Sequence, residues 1–344
     1  MAGGDAFDRA LGALVGGALG DALGMPTQVL SPAQIRSLYG RVETFVEPPP
    51  WHPVSKGLAA GAVTDDTEQA LLLGRLLLDR ADGWFDHAAW AAALVDWEGD
   101  ARKRGCQDLL GPSTRRAIEA FRAGVPAAEA GRYGDTNGAA MRIAPVGLLM
   151  PPEPLDALVD AVAETCLATH NTSIAIAAAS AVAMAVSVGI EGGTWRQAMD
   201  RATQAAGLGA KRGHWIAGAD IAARIAWARD LVRDREASDA MALVIDLIGT
   251  SVASQESVPA AFAVLEIADG DPWEAAVISA NLGGDTDTIG AIAAGMAGAA
   301  AGFSALPADK VAALRGVDLD SIRSLAAELL ERRAVQLADA GDGP

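Results

Sequence analysis

The sequence predicts an all-α protein, on three observations. Its 344 residues are 51% hydrophobic but only 5% aromatic, so the core has to be built from Ala, Leu, Val, Ile and Gly, which suit closely approaching helices. Apolar residues at helical spacing recur along the chain. No stretch of any length shows the apolar–polar alternation of a strand. With no repeat of fixed period and no composition shift to mark a boundary, residues 1–338 are expected to form one domain, with 339–344 as a frayed tail.

Composition also excludes partners. A net charge of −17 argues against nucleic acid and against an anionic membrane surface. A phosphate ligand stays possible, because bound cations invert the local field. The only cysteines, Cys106 and Cys166, form no close-spaced pair, so neither a disulfide framework nor a zinc signature is present. The opening MAGGDAFDRA carries acids where a signal peptide wants lysines, and a cytoplasmic protein is expected. Asn171–Ile190 and Ile289–Leu306 approach membrane-span length. Both are rich in small residues, as buried helices of a tight bundle are, and no membrane partner is expected.

Taken in order, Asp8 to Leu23 reads as a helix in which Gly12, Gly16, Gly20 and Gly24 form a ridge without side chains. Each interior glycine costs about 1 kcal/mol against alanine, so a run at this spacing signals close backbone contact. Asp21 stands near the helix end, lining a site or bonding to neighbouring backbone. Pro26 stops the helix and Gln28 follows in a turn. From Gly40 to Gly61, Pro48, Pro49, Pro50, Pro53 and Gly57 mark a long loop of the kind used as a lid or binding loop. Trp51 and His52 at its centre either meet a ligand or plug the loop.

VTDDTEQALLLG, Val63 to Gly74, is the first acidic helix start. Asp65 reads as a cap with Glu68 closing a capping box, leaving Thr64 and Asp66 free, and the helix continues over Gln69–Arg80. His87–Trp97 gives another helix, and Gly111 and Pro112 turn the chain into a helix opening at Ser113 or Thr114. In GRYGDTNGAAMRIAPVGLLM, two glycines bracket Asp135, Thr136 and Asn137 ahead of an Ala-rich helix, an arrangement suited to a phosphate or a ribose hydroxyl. Arg142, one turn inside, either bridges neighbouring loops or meets the phosphate, the bridge being the role expected.

His170 precedes Asn171 and Thr172, plausible caps of the next helix, and counts as a possible ligand contact. Glu191–Arg212 is interrupted by glycines and reads as looser; His214 and Trp215 lie in the loop before a helix over Ala217–Arg235. In SQESVPA, Ser254 or Gln255 begins a turn before a helix opened by Pro259. Trp273–Ala280 leads into NLGGDTDTIGAIAAG, Asn281 to Gly295. There Asp285 has the N-cap position with Asp287 and Thr288 in the first turn. Gly283 and Gly284 let backbone approach something closely. Gly298 and Gly302 continue this helix in small-residue spacing, and Val317–Arg333 is the last amphipathic helix.

Each acidic helix start carries more acid than a cap needs. Brought together, Asp65, Asp66, Asp285 and Asp287 would repel one another unless cations neutralised them. With no His or Cys in either motif, the donors are hard oxygens suited to Mg²⁺, Mn²⁺ or Ca²⁺ rather than zinc.

In this order, the motifs GALVGGALGDALGMP, VTDDTEQALLLG, GDTNGAAMRIAPVG, ATHNTSIA and NLGGDTDTIGAIAAGMAGA resemble the ADP-ribosylglycohydrolase family, which includes the dinitrogenase reductase-activating glycohydrolases and the J-crystallins. The resemblance covers Arg9 to Gly302. It implies a compact single-domain orthogonal helical bundle with two Mg²⁺ ions at its centre, Mn²⁺ or Ca²⁺ being possible substitutes, and hydrolysis of a glycosidic bond to ribose. By position it implies the metal ligands Thr64, Asp65, Asp66, Asp285, Asp287 and Thr288. It puts Asn137 and Gly138 at a ribose–phosphate loop and His170 near the substrate; Gln28, Trp51, Gly283 and Gly284 complete the candidate substrate contacts. Either Asp66 or Asp287 is the catalytic base. The chain departs from the family pattern at Gln28, where members often carry Glu, and at Thr172, where many carry a second His. The expected substrate is a ribose-containing small molecule or an ADP-ribosylated protein. A hydrolase of free nucleosides or other small N-ribosides is the alternative, and a non-catalytic binding or structural protein, as the J-crystallins are, is the third reading.

Overall fold

The computed structural model describes residues 2–79, 85–104 and 110–341. Among these the secondary structure is helical, with three isolated bridge pairs, Ala62–Arg315, Thr136–Ala253 and Thr172–His214, and no sheet. Cys106 and the Arg80 end of the expected Gln69–Arg80 helix lie outside the described residues.

The glycine ridge meets a second one. The first helix, Ala2–Gly24, packs antiparallel against Thr286–Ala301. A Cβ added at Gly12 would stand 2.4 Å from the Gly298 carbonyl oxygen, at Gly16 2.6 Å from that of Ala294, at Gly20 2.1 Å from that of Gly290, and at Gly24 2.3 Å from that of Thr286. Each step of four residues on one helix is matched by four back on the other, so the ridge fixes the register. That register sets Asp21, near the C-terminal end of the first helix, beside Asp285 and Asp287 at the start of the second. The Thr286 hydroxyl donates to the Gly24 carbonyl at 2.8 Å and secures the same end.

Ser173–Ile190 is the core helix, with all 18 residues buried. It is apolar and long enough to cross a membrane, and here its surface is covered instead by Ala144–Leu149, Trp195–Gly209, Leu155–Cys166 and Thr286–Ala301.

Three expectations on local structure are corrected. Trp195–Gly209 is a regular helix, begun by a capping box of Thr194 and Gln197. Its glycines are not all breaks, since a Cβ at Gly209 would meet Ala177 and Ser180 of the core helix. Pro259 lies inside helix Ser254–Ile267 rather than opening it. The helix start is fixed by the Asp135–Asn137 loop: Ser254 N–H donates to the Asp135 carbonyl (3.2 Å) and Asn137 N–H to that of Val252 (3.0 Å). The expected Ala-rich helix after Asn137 is split into Gly138–Met141 and Ala144–Leu149. Pro145 has no N–H for the Met141 carbonyl, so the ladder breaks there. The last helix runs Leu319–Gly341; residues 342–344 of the expected tail lie outside the described residues.

Candidate active site

The two acidic helix starts open into one cleft of about 150 Å³. Asp65, Asp66, Asp285, Asp287, Thr288, Asn137, Gly138 and Gln28 all line it, and Val29, Val54, Leu110, Pro112, Met141 and Val252 supply apolar wall. Among the described residues that line it there is no Lys, Arg or His.

Helix Asp65–Leu78 is capped by its own Thr64, whose Oγ1 accepts from Asp66 N–H at 3.4 Å, and also from outside its own segment. Thr64, not Asp65, is the N-cap. Asp21 accepts from Thr64 N–H (2.9 Å), Thr64 Oγ1 (2.8 Å), Thr67 N–H (3.2 Å) and Thr67 Oγ1 (2.5 Å). These donors would otherwise be left open at the helix N-terminus. Glu68 closes no capping box; it takes Arg104 at 2.6 and 2.7 Å and Trp97 Nε1 at 2.7 Å. Asp65 and Asp66 are thereby released towards the cleft. Asp21 is the structural anchor of this helix and does not line the cleft. Thr64 is fully buried one layer behind the lining, tied to Asp21.

Asp285 has the N-cap position of its helix but makes no capping bond. Its Oδ2 accepts from Asn137 Nδ2 at 2.5 Å, and that nitrogen is 2.9 Å from Ser257 Oγ. Asn137 therefore aims Asp285 as well as lining the cleft. Asp65 is aimed from the other side by Gln69, whose Nε2 lies 3.3 Å from Asp65 Oδ2. The Gln69 oxygen accepts from Arg142 at 2.7 Å. Arg142 bridges segments as its sequence setting suggested, donating also to Thr169 Oγ1 at 2.6 Å and lying over the Trp90 ring. Burial lowers its pKa to about 10, so it is charged at neutral pH.

Four candidate contacts do not reach the cleft lining. His170 is fully buried, with Nε2 3.2 Å from Thr136 Oγ1 and Nδ1 2.8 Å from Thr169 Oγ1. Burial, with Arg142 beside it, holds its pKa well below the usual value, and the neutral ring backs the cleft wall behind Gly138. Trp51 is 57% exposed and outside the lining. Gly283 and Gly284 have φ of 78° and 79°, a region that glycine enters without strain. The close approach they allow is to protein: Gly284 N–H donates to the Leu30 carbonyl (3.0 Å), and its carbonyl accepts from Val29 N–H (2.6 Å). This clasps the Gln28 turn to the second acidic start. The roles of Gln69 and Ser257 carry no local signal, because Gln69 passes a contact from Arg142, 73 residues away, on to Asp65, and Ser257 acts on Asn137, 120 residues away. Asp21 stood out in the sequence, but its partners Thr64 and Thr67 lie 43 and 46 residues on.

The carboxylates are strained electrostatically. Burial raises the pKa of Asp66 well above the usual range, and the charge of Asp287 adds to it. Asp287 is raised by burial and then by Asp285, and Asp65 by burial and then by Asp21 and Asp285. Asp21 and Asp285 are pushed up to about 6, in each case chiefly by burial. Asp66 Oδ1 and Asp287 Oδ1 are buried with no hydrogen-bond partner. Orphaned carboxylate oxygens are the donors that a hard divalent cation takes, so the residues fit Mg²⁺ in kind. Among the described residues no three carboxylate, imidazole or thiolate groups gather to hold a metal as they stand. Mg²⁺ is commonly held by one or two carboxylates and several waters, which suits such an open arrangement.

A pH dependence follows. A carboxyl group with a raised folded pKa makes the folded state bind more protons than the unfolded state. Its stabilising contribution is complete below the unfolded pKa of about 4 and is lost as pH rises through the folded value. In chelator, the melting temperature is expected to fall by several degrees from pH 5 to pH 7.5, since a shift of two units is worth roughly 3 kcal/mol. Scanning calorimetry in EDTA reads this; a melting temperature that rises across the window would contradict the buried cluster.

A family model for ADP-ribosylglycohydrolase matches residues 3–338, a span that includes both acidic starts, the Asn137 loop and Gln28. The chain is similar to the uncharacterised protein YegU of Escherichia coli (strain K12), 36% identical over 322 residues that cover 92% of this chain and 93% of that protein. It is 34% identical over 184 residues to the ADP-ribosyl-[dinitrogen reductase] glycohydrolase of Rhodospirillum rubrum, covering 52% of this chain and 56% of that one. It is 27% identical to the human ADP-ribosylhydrolase ARH3, covering 88% of this chain and 87% of that protein. Among solved structures, an ADP-ribosylglycohydrolase-related protein complex superimposes with a TM-score of 0.68 at 26% identity, over 96% of this chain and 99% of that one. The all-α fold, the paired acidic starts and a match over nearly every residue agree: this chain belongs to the ADP-ribosylglycohydrolase family.

Proposed function

We propose that the chain is a Mg²⁺-dependent hydrolase that cleaves a ribosyl glycosidic bond, with ADP-ribosyl groups on protein or small molecules as its substrate. The observation that carries this reading is the pair of orphaned oxygens, Asp66 Oδ1 and Asp287 Oδ1, at a cleft with apolar walls. Asp65, Asp66, Asp285, Asp287 and Thr288, which line the cleft, would hold the two ions, with Thr64 behind them tied to Asp21. Mg²⁺ held there would supply Lewis-acid chemistry, lowering the pKa of water and taking hydroxyl oxygens such as those of a ribose diol as ligands. Asp66 or Asp287 takes the proton from the attacking water. The remaining carboxylates stabilise the positive charge of an oxocarbenium-like transition state. Asn137 and Gln69 hold Asp285 and Asp65 in place, while Met141, Val29 and Val252 keep bulk water from the reacting carbon. The ADP-ribosyl assignment is supported by the names of the Rhodospirillum rubrum and human relatives.

A second reading, cleavage of a free nucleoside or another small N-riboside, is favoured by the lack of a Lys, Arg or His among the described lining residues. A pyrophosphate would meet acid and apolar wall there. The non-catalytic reading is disfavoured, because buried carboxylates without a cation cost stability.

A Mg²⁺-dependent screen tests the choice, with ADP-ribosyl-arginine, ADP-ribosyl-serine peptide and O-acetyl-ADP-ribose beside a panel of nucleosides, reading released ribose or ADP-ribose. Turnover of an ADP-ribosyl compound that stops in EDTA is the expected result. Turnover of nucleosides alone would replace it with the second reading, and silence throughout would overturn both.

A further inference from the structure

Gln28 has a side chain whose direction the surrounding hydrogen bonds decide. Ser55 Oγ is fully buried, 3.0 Å from the Met25 carbonyl oxygen and 2.9 Å from Gln28 Nε2. A carbonyl only accepts, so the single Ser55 proton goes to Met25, and Ser55 can only accept from residue 28. The amide of Gln28 must therefore turn its NH₂ to Ser55, which leaves Oε1 as its acceptor on the cleft side. His52 is equally constrained. Its Nδ1 accepts from Ser55 N–H at 2.8 Å and Val54 N–H at 3.2 Å, so the ring proton is on Nε2 and is donated to the Gln28 carbonyl at 2.8 Å. His52 is 1% exposed, so these bonds are shielded from water. Across the same turn, Val29 and Leu30 are clasped to Gly284.

We infer that His52 and Ser55, from the Pro-rich loop, are positioning residues that fix Gln28 as a hydrogen-bond acceptor facing the cleft. The substrate group that it meets is then an O–H or N–H donor, and the seating of this loop sets substrate affinity. A glutamate at position 28 does not fit this arrangement. Having no proton to give, it would draw the Ser55 proton away from Met25 and leave that buried carbonyl unpaired. The part played in substrate binding rests on reading the cleft as the riboside site; the clamp itself does not.

The experiment has two arms. The first needs no substrate: amide hydrogen exchange over residues 49–58 in wild type, Gln28→Glu and Ser55→Ala at pH 7.5. Exchange is expected to quicken about tenfold in both variants, and wild-type exchange in Gln28→Glu would overturn the clamp. The second is a double-mutant cycle on KM, read with ADP-ribosyl-arginine, or with adenosine if nucleosides alone turn over. Ser55→Ala is expected to raise KM three- to tenfold with kcat changed less than twofold. In a Gln28→Met background, where Ser55 has no amide to position, it should change KM less than twofold. An equal rise in both backgrounds would show that Ser55 does not act through Gln28. If nothing in the panel is cleaved, the functional reading falls while the exchange arm still decides the clamp.

Discussion

Asp66→Asn and Asp287→Asn are each expected to lower kcat by about 10³-fold and, in the absence of divalent cations at pH 7.5, to raise the melting temperature. The first effect is the loss of an acid–base group and a cation donor together. The second is the more telling, because destabilisation is the usual result of substituting a buried residue. Here each carboxylate is buried against others of the same charge, and each has an oxygen with no partner. An amide of the same shape removes one charge, and its NH₂ can donate to the neighbouring carboxylate. That turns a repulsion into a charge-assisted hydrogen bond worth roughly 2 kcal/mol. The gain should shrink towards pH 5, because the raised pKa values bring protons onto the wild-type cluster as the pH falls. Mg²⁺ should stabilise the wild type and have little effect on either variant. Calorimetry in EDTA and in Mg²⁺, at both pH values, separates these outcomes. Variants that lose stability in EDTA and retain the full Mg²⁺ shift would show that the cluster is a structural network and not a cation site.

The two acidic helix starts were legible because their chemistry is local: Asp and Thr exceed what a cap uses, whatever they pack against. What failed was the assignment of local roles. The capping box read into Asp65 and Glu68 assumed that a helix start is capped by its own segment. Thr64 caps Asp66 N–H locally, Asp21 takes Thr67 N–H from another helix, and Glu68 turns to Arg104. A cap supplied across the fold leaves no mark at the start it serves. The role of His170 was open for a similar reason. A histidine before a helix looks the same whether it faces a ligand or a buried guanidinium, and Arg142, which settles the matter, is 28 residues away. In Trp195–Gly209 the glycines read as breaks, and at Gly209 close packing on the core helix is the reason for one of them. The ridge on the first helix announced a close contact without naming the partner, because Gly298 and Gly302 carry the same spacing and nothing local says that the two meet.

Gly20→Ala is expected to destabilise the protein more than any other single-methyl change along the ridge, by roughly 4 kcal/mol or about 10 °C, or to prevent folding altogether. The new Cβ would lie 2.1 Å from the Gly290 carbonyl oxygen and 2.3 Å from its carbon, so the obstacle is backbone, which no rotamer change can move aside. The two helices would have to separate. Because their contact runs in one register from Gly12 to Gly24, a shift at Gly20 is passed to Asp21 and Asp285, and surviving protein should also lose kcat. Gly17→Ala, on the same helix, makes the same chemical change with the opposite prospect. Its Cβ would be 3.4 Å from the Ala291 carbonyl oxygen, an ordinary contact. Replacing an interior helical glycine then gains up to about 1 kcal/mol in helix propensity. Urea unfolding of the two variants reads the difference directly. Equal midpoints would mean that the two helices are not held at the separation that the glycines impose, and the placing of the two acidic starts in one cleft would then need another cause.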